Sequence, residues 1–286
     1  MTIKQILVPL TGESKAEHVP AMAFAIAAKT KAHVVGTDTV TEPGPFMDQT
    51  GVGMAAGYYD ELYKTAEKIQ NQKRKTASEC FEAVRARVNA TVADKPSAGA
   101  GVTAKWVDGS EYNGATISLF GRLADLIVVN QPGDKASYAE TQAFETAVFT
   151  ARRPVLVVPP NAKALGARAA IAWNGSVEAA AAVTAALDVL EGLDGVDIIQ
   201  AGELKPGAAS AQTLADYLGW HGVAAKIKTI SDSGNTGEAI MAEAKASGAS
   251  FLVMGAYTHS PLRELILGGV THHMIGQGDI PLVMAH

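Results

Sequence analysis

The chain has 286 residues, 48% of them hydrophobic and 19% charged, with a formal charge of −5. That length and balance suit one large or two ordinary globular domains and exclude a disordered polyelectrolyte. The acidic balance also argues against a general nucleic-acid or anionic-membrane binder, and no apolar run reaches the roughly 18 residues of a membrane span. The single cysteine, Cys80, precludes an intrachain disulfide and points to a reducing cytoplasm.

In chain order, Ile6–Leu10 is an apolar strand that stops at Thr11-Gly12-Glu13-Ser14. An alanine-rich helix over Ala16–Lys31 and a β-branched strand over Ala32–Val40 follow, the strand–helix–strand order of a right-handed parallel crossover. After a Gly/Pro-rich loop, Thr41–Gly57, the residues Tyr58–Val92 read as one long helix. Its expected core stripe is Leu62, Ala66, Ile69, Thr76, Cys80, Val84 and Val88, interrupted by Lys73. Cys80 is then a small core residue. Asp94–Gly101 is a polar turn, Val102–Val107 a third strand, Asn113–Arg122 a helix and Leu126–Val129 a fourth strand. A helix over Thr141–Ala151 leads to a fifth strand, Pro154–Val158.

Pro159–Ala167 reads as a linker, after which the plan restarts. Ala169–Trp173 ends at Asn174-Gly175-Ser176 as the first strand ends at Thr11-Gly12. A helix over Val177–Leu190, strands over Val196–Gln200 and Ala225–Ile230, and a helix over Glu238–Ser247 follow. The fourth and fifth strands are Phe251–Met254 and Pro281–Ala285. The fold class is therefore α/β: two doubly wound, parallel, five-stranded domains, 1–158 and 168–286. Their short apolar fifth strands are expected to pair with one another, since exposed edges invite pairing.

Chemistry concentrates after Met254. Gly255 closes a buried strand, Ser260-Pro261 offers a helix start through Leu267, and Gly268-Gly269 precedes a further helical run, Val270–Ile275. Glycines between a strand end and a helix start let backbone N–H groups approach an anion, and the helix N-terminus adds partial positive charge. In doubly wound sheets the ligand sits outside the carboxyl ends of the strands, where strand order reverses. For the second half that rim holds Asn174, Gly175, Ala201 and the loop from Gly255 to Thr271.

Gly255, two residues, Thr258, nine residues and Gly268-Gly269 resemble the nucleotide loop of the universal stress proteins: Gly, two residues, Gly, nine residues, Gly and a hydroxyl residue. Thr258 stands in the second glycine slot and Gly269 in the hydroxyl slot, with Thr271 offering a hydroxyl two positions later. Over the whole chain the repeat resembles a tandem universal stress protein, with an adenine-nucleotide α-hydrolase-like fold packed as an internal pseudo-dimer, and a homodimer as a further expectation. The resemblance implies a stress-response protein that binds ATP, or AMP or ADP, with Mg as accompanying ion. Adenine and ribose are then expected near Asn174, Gly175 and Ala201, and phosphates near Gly255, Thr258, Gly268, Gly269, Val270 and Thr271. Asn174 takes a slot usually held by Asp, and Thr258 is expected to weaken nucleotide binding.

The first half departs further. Asn130-Gln131-Pro132-Gly133 stands where its glycine loop would begin, Thr11 takes the Asp slot, and no glycine pair opens its last helix. It is expected to bind no nucleotide. His259, His272, His273 and His286 lack a metal-ligand spacing, no nucleophile elbow or Walker loop occurs, and Glu238, Glu243 and Glu264 read as solvated faces. The chain is therefore read as a regulatory binding protein and not as an enzyme, with a scaffold of the same fold that lacks nucleotide binding as the alternative.

Overall fold

Apolar runs of four to seven residues supply most of the strands. In the computed structural model the described residues are 3–40, 56–95, 101–112, 114–133, 136–162, 164–231, 234–256, 274–276 and 278–286. The strands up to residue 158 are β1 (Gln5–Leu10), β2 (His33–Asp38), β3 (Thr91–Val92), β4 (Thr103–Val107), β5 (Leu126–Asn130) and β6 (Val155–Val158). Those from residue 168 are β7 (Arg168–Ala172), β8 (Gly195–Ala201), β9 (Ala225–Ile230), β10 (Leu252–Gly255) and β11 (Leu282–Ala285). All belong to one mostly parallel sheet in the order β3-β4-β2-β1-β5-β6-β11-β10-β7-β8-β9. Among the described residues no helix is long and apolar enough to cross a membrane.

Strand order reverses twice, between β1 and β5 and between β7 and β10. Between those points β6 and β11 pair antiparallel, with Leu282 opposite Val157, Val283 opposite Leu156 and Met284 opposite Val155. The two fifth strands thus meet as their apolar edges predict. Adding 127 to each residue number of β6 converts the register into itself, so a local two-fold relation passes between Leu156 and Val283.

The helices cover both faces. They are α1 (His18–Thr30), α2 (Ala56–Arg87), α3 (Thr116–Phe120), α4 (Tyr138–Glu145), α5 (Val177–Leu190), α6 (Ala211–Trp220) and α7 (Thr236–Ala246). One core layer joins Phe24, Phe81, Leu156, Ile171, Leu190 and Val283. The other joins Leu7, Ile127, Val155, Met241, Met274 and Met284. Each layer therefore crosses the β6–β11 seam. The backbone of Ile3 also donates to the Asp188 carboxylate on α5, tying the start of the chain to the second half.

Several expectations are corrected. The long helix ends at Arg87, not Val92, because Asn89 takes a left-handed conformation (φ 53°) that turns the chain. Thr91 and Val92 then pair parallel with β4, giving the first half a sixth strand where five were expected. The buried stripe of α2 is Ala77, Cys80, Phe81 and Val84, whereas Ile69 and Val88 are exposed. The Asn113–Arg122 helix shrinks to α3, flanked by 3-10 turns at Gly109–Tyr112 and Gly121–Leu123. The sequence reading omitted α6, although Ser210 caps it and Leu214 and Leu218 bury its inner face. Glu243 is not simply solvated: it pairs with Lys228 at 2.6 Å.

Candidate functional site

The two reversals of strand order create two crevices at the carboxyl ends of parallel strands. In the second half, β7 pairs β8 with Ala172 opposite Ile199, and β10 with Val253 opposite Ile171. Carried forward, this register sets Asn174 level with Ala201, and Gly255 level with Trp173. Three of the predicted site positions therefore come together with Gly175 beside them. Thr258, Gly268, Gly269, Val270 and Thr271 lie outside the described residues.

Local chemistry explains the turn after β7. The Asn174 Oδ1 accepts from the Ser176 N–H (3.0 Å), and Ser176 Oγ accepts from Ala179 N–H (3.1 Å) to cap α5. Gly175 sits between them at φ 70°, and a Cβ there would lie 2.6 Å from Ala208 Cβ. The Trp173 indole N–H holds the same strip by donating to Ala209 O (2.9 Å). Asn174 is exposed, and its Nδ2 makes no hydrogen bond to the described residues, so it can donate to an acceptor such as a purine nitrogen or a ribose oxygen. Gly255 has a structural cause as well. A Cβ there would lie 2.6 Å from Ala179 N, so the bare backbone lets β10 end against the start of α5.

The first-half crevice is built from matching positions, and described side chains enter it. Gly12, the counterpart of Gly175, also has a positive φ (69°), and its missing Cβ leaves room for the Lys73 carbonyl of α2. Lys73 Nζ pairs with Glu13 at 2.8 Å, which holds the Glu13 carboxyl below its usual range, with help from Ser137. His18 Nε2 meets Asn130 Oδ1 at 2.8 Å, and Asn130 Nδ2 donates to Glu140 Oε1 at 2.8 Å. Glu140 also closes a capping box with Ser137 at the start of α4. Among the described residues there is a cavity of about 20 Å³ bounded by Thr11, Gly12, Cys80, Asn130 and Glu140. That holds a water molecule and falls far short of the roughly 300 Å³ of a ligand pocket. Burial pushes the Cys80 thiol up to about 11, which leaves it protonated and unreactive at neutral pH.

Sequence reasoning named Thr11 and Asn130 at this crevice but missed His18, Lys73 and Glu140. The Ser137-Tyr-Ala-Glu140 spacing was a legible capping-box signal for Glu140. Nothing local marks His18 or Lys73, whose partners are 112 and 60 positions away.

Burial also holds His18 and His33 below the ordinary histidine range. The unfolded chain takes up protons near pH 6.5 that these folded imidazoles refuse. Stability should therefore be full above about pH 6.5 and fall as pH drops through that value, levelling once the folded rings protonate. Urea midpoints at pH 7.5 and 5.5 should differ less in His18→Gln than in wild type, with His33 supplying the remaining slope. An identical pH dependence in the variant refutes this account.

Among known proteins, the model of the universal stress protein family matches residues 132–286, more than half of the chain. No curated protein sequence matches. Among solved structures, a universal stress protein from Archaeoglobus fulgidus DSM 4304 aligns over 98% of this chain and 95% of its own, at 17% identity and a TM-score of 0.59. A putative universal stress protein from Pseudomonas aeruginosa UCBPP-PA14 covers 98% and 92% at 14% identity, TM-score 0.54. The cytoplasmic domain of a prokaryotic cation chloride cotransporter covers 99% and 96% at 13% identity, TM-score 0.51. At these identities the likeness is one of fold.

Proposed function

The chain belongs to the universal stress protein family, and on that premise we propose that it is a stress-response protein binding one adenine nucleotide, ATP or else AMP or ADP, in its second half. One observation carries the reading. Asn174, Ala201 and Gly255 adjoin at the carboxyl ends of β7, β8 and β10, where strand order reverses, while among the described residues the corresponding crevice of the first half takes in His18, Lys73 and Glu140. Adenine and ribose then lie by Asn174, Gly175 and Ala201. The phosphates lie by the segment from Gly255 through Thr258 to Gly268, Gly269, Val270 and Thr271. Mg accompanies the phosphates in this reading.

Binding serves regulation in this reading, and turnover has no part in it. Residues 1–158 and 168–286 act as tandem domains that form an internal pseudo-dimer, which the two-fold register of β6 and β11 supports. We assign the protein to the cytoplasm on the strength of its lone reduced cysteine.

Titration calorimetry with ATP is expected to give one site per chain. Gly268→Val should abolish it, because a branched side chain fills space that a backbone–phosphate contact needs. Two equivalent sites, or undiminished binding by Gly268→Val, overturn the proposal. The second reading is a scaffold of the same fold without nucleotide. Two contacts favour it: the Asn174 Oδ1 is already occupied by Ser176, and the space beside Gly255 by α5. A wild-type chain that binds no adenine nucleotide selects the scaffold.

A further inference from the structure

The turn after β7 is held from outside as well as from within. Trp173, the residue before Asn174, is 5% exposed, and its indole N–H donates to Ala209 O at 2.9 Å. A buried indole N–H needs such an acceptor. On the other side of Asn174, a Cβ on Gly175 would lie 2.6 Å from Ala208 Cβ and 2.9 Å from Ala209 O. The two neighbours of Asn174 thus rest on the same pair of residues, Ala208 and Ala209.

That pair ends a strap, residues 202–209, which leaves β8 at Ala201. Its start is tied to the sheet: Gly202 N–H donates to Ile230 O (3.0 Å), and Gln200 Nε2 donates to Gly202 O (3.0 Å). A turn follows in which Ala208 N–H donates to Lys205 O (3.0 Å). Its end is tied to α6, where Ser210 Oγ accepts from Thr213 N–H (3.1 Å) and Leu214 and Leu218 are buried. Described contacts therefore join Ala201 to the Asn174 turn through one anchored segment. The first half is built differently. Leu10 stands at the position of Trp173 and has no side-chain donor, and the backbone against Gly12 is that of Lys73 on α2.

We propose that Trp173 is a positioning residue for the base and ribose of the nucleotide, acting through strap 202–209 to fix Asn174 beside Ala201. This rests on the nucleotide reading given above. An amide selects its partner only while its own backbone is held, and a shift of about 1 Å loosens the contact. The strap adjoins the base and ribose side of the crevice, so its release weakens every adenine nucleotide by the same factor, whatever its number of phosphates.

The test is affinity for ATP and for AMP by calorimetry at 25 °C in wild type, Trp173→Phe and Ala208→Val, with thermal melts alongside. Phenylalanine keeps a buried ring and removes the donor. Valine adds bulk on the half-exposed strap where it meets Gly175 and leaves Trp173 in place. Both variants are expected to bind ATP and AMP about tenfold more weakly while folded. A merely structural contact would lower the melting temperature and leave affinity unchanged, and unchanged affinity in either folded variant overturns the inference. A loss for ATP that spares AMP also overturns it, because the strap would then act on the phosphates. Both results spare the nucleotide reading. If Trp173→Phe does not fold, Ala208→Val alone decides. Absence of binding in wild type sinks both the inference and the reading beneath it.

Discussion

Replacing Val157 and Met284 together by aspartate is expected to unfold the chain or part its two halves at 25 °C. Val157 is 1% exposed and Met284 is fully buried, and both point into the same core layer. They sit on the two strands of the seam, where Val157 faces Leu282 and Met284 faces Val155. Among the described residues that core layer is apolar, and burying an unpaired charge costs several kcal/mol per ion. Two such costs match the whole stability of an ordinary domain, about 5–15 kcal/mol. Circular dichroism melts and small-angle scattering read the outcome. Thr229→Asp, on the exposed outer strand, is the control and should shift stability by no more than about 0.5 kcal/mol. A double variant with the melting temperature and scattering profile of wild type refutes the assignment of the seam.

Phe81→Ala should cost about 3–5 kcal/mol in urea unfolding. The ring is fully buried on α2, 5.5 Å from Phe24 and 5.6 Å from Trp106 by ring centroids. It lies over Gly36 of β2, where a Cβ would come within 2.5 Å of it. Sheet, helix and three aromatic rings therefore share one contact, and removing the ring leaves a cavity that the surrounding backbone cannot fill. Cys80 adjoins Phe81, so its labelling by a thiol reagent gives a second readout. The buried thiol should react slowly in wild type and faster in the variant. A loss below about 1 kcal/mol would mean that the core relaxes around the gap.

The strands were legible because their apolar runs stop abruptly, as Leu126–Val129 does at Asn130 and Leu252–Met254 at Gly255. The repeat was legible because Thr11-Gly12 and Asn174-Gly175 recur at matching strand ends, and both glycines do have positive φ. Helix α2 was harder. Its charged residues interrupt several possible stripes, and only packing against β2 selects the one through Phe81. The two-residue pairing of Thr91 with β4 is too short to leave a periodic signal. At the site, Asn174, Gly175 and Gly255 were readable as strand ends, yet the cause of the Gly255 spacing, the backbone of α5, lies some 76 positions earlier in the chain. The closing of the first crevice by His18 and Lys73 is a tertiary event that no local pattern encodes.

The seam between β6 and β11 has one more consequence. Where two identical chains meet across a two-fold axis, every substitution is made twice, and the residue on the axis must tolerate its own copy. Here Leu156 faces Val283, an unlike pair in the place where such chains would set a residue against itself. Covalent connection thus releases each side from obligatory sameness. Gln131 can reach across while Ala256 does not, and the first half can set histidine and lysine at its strand ends independently of the second.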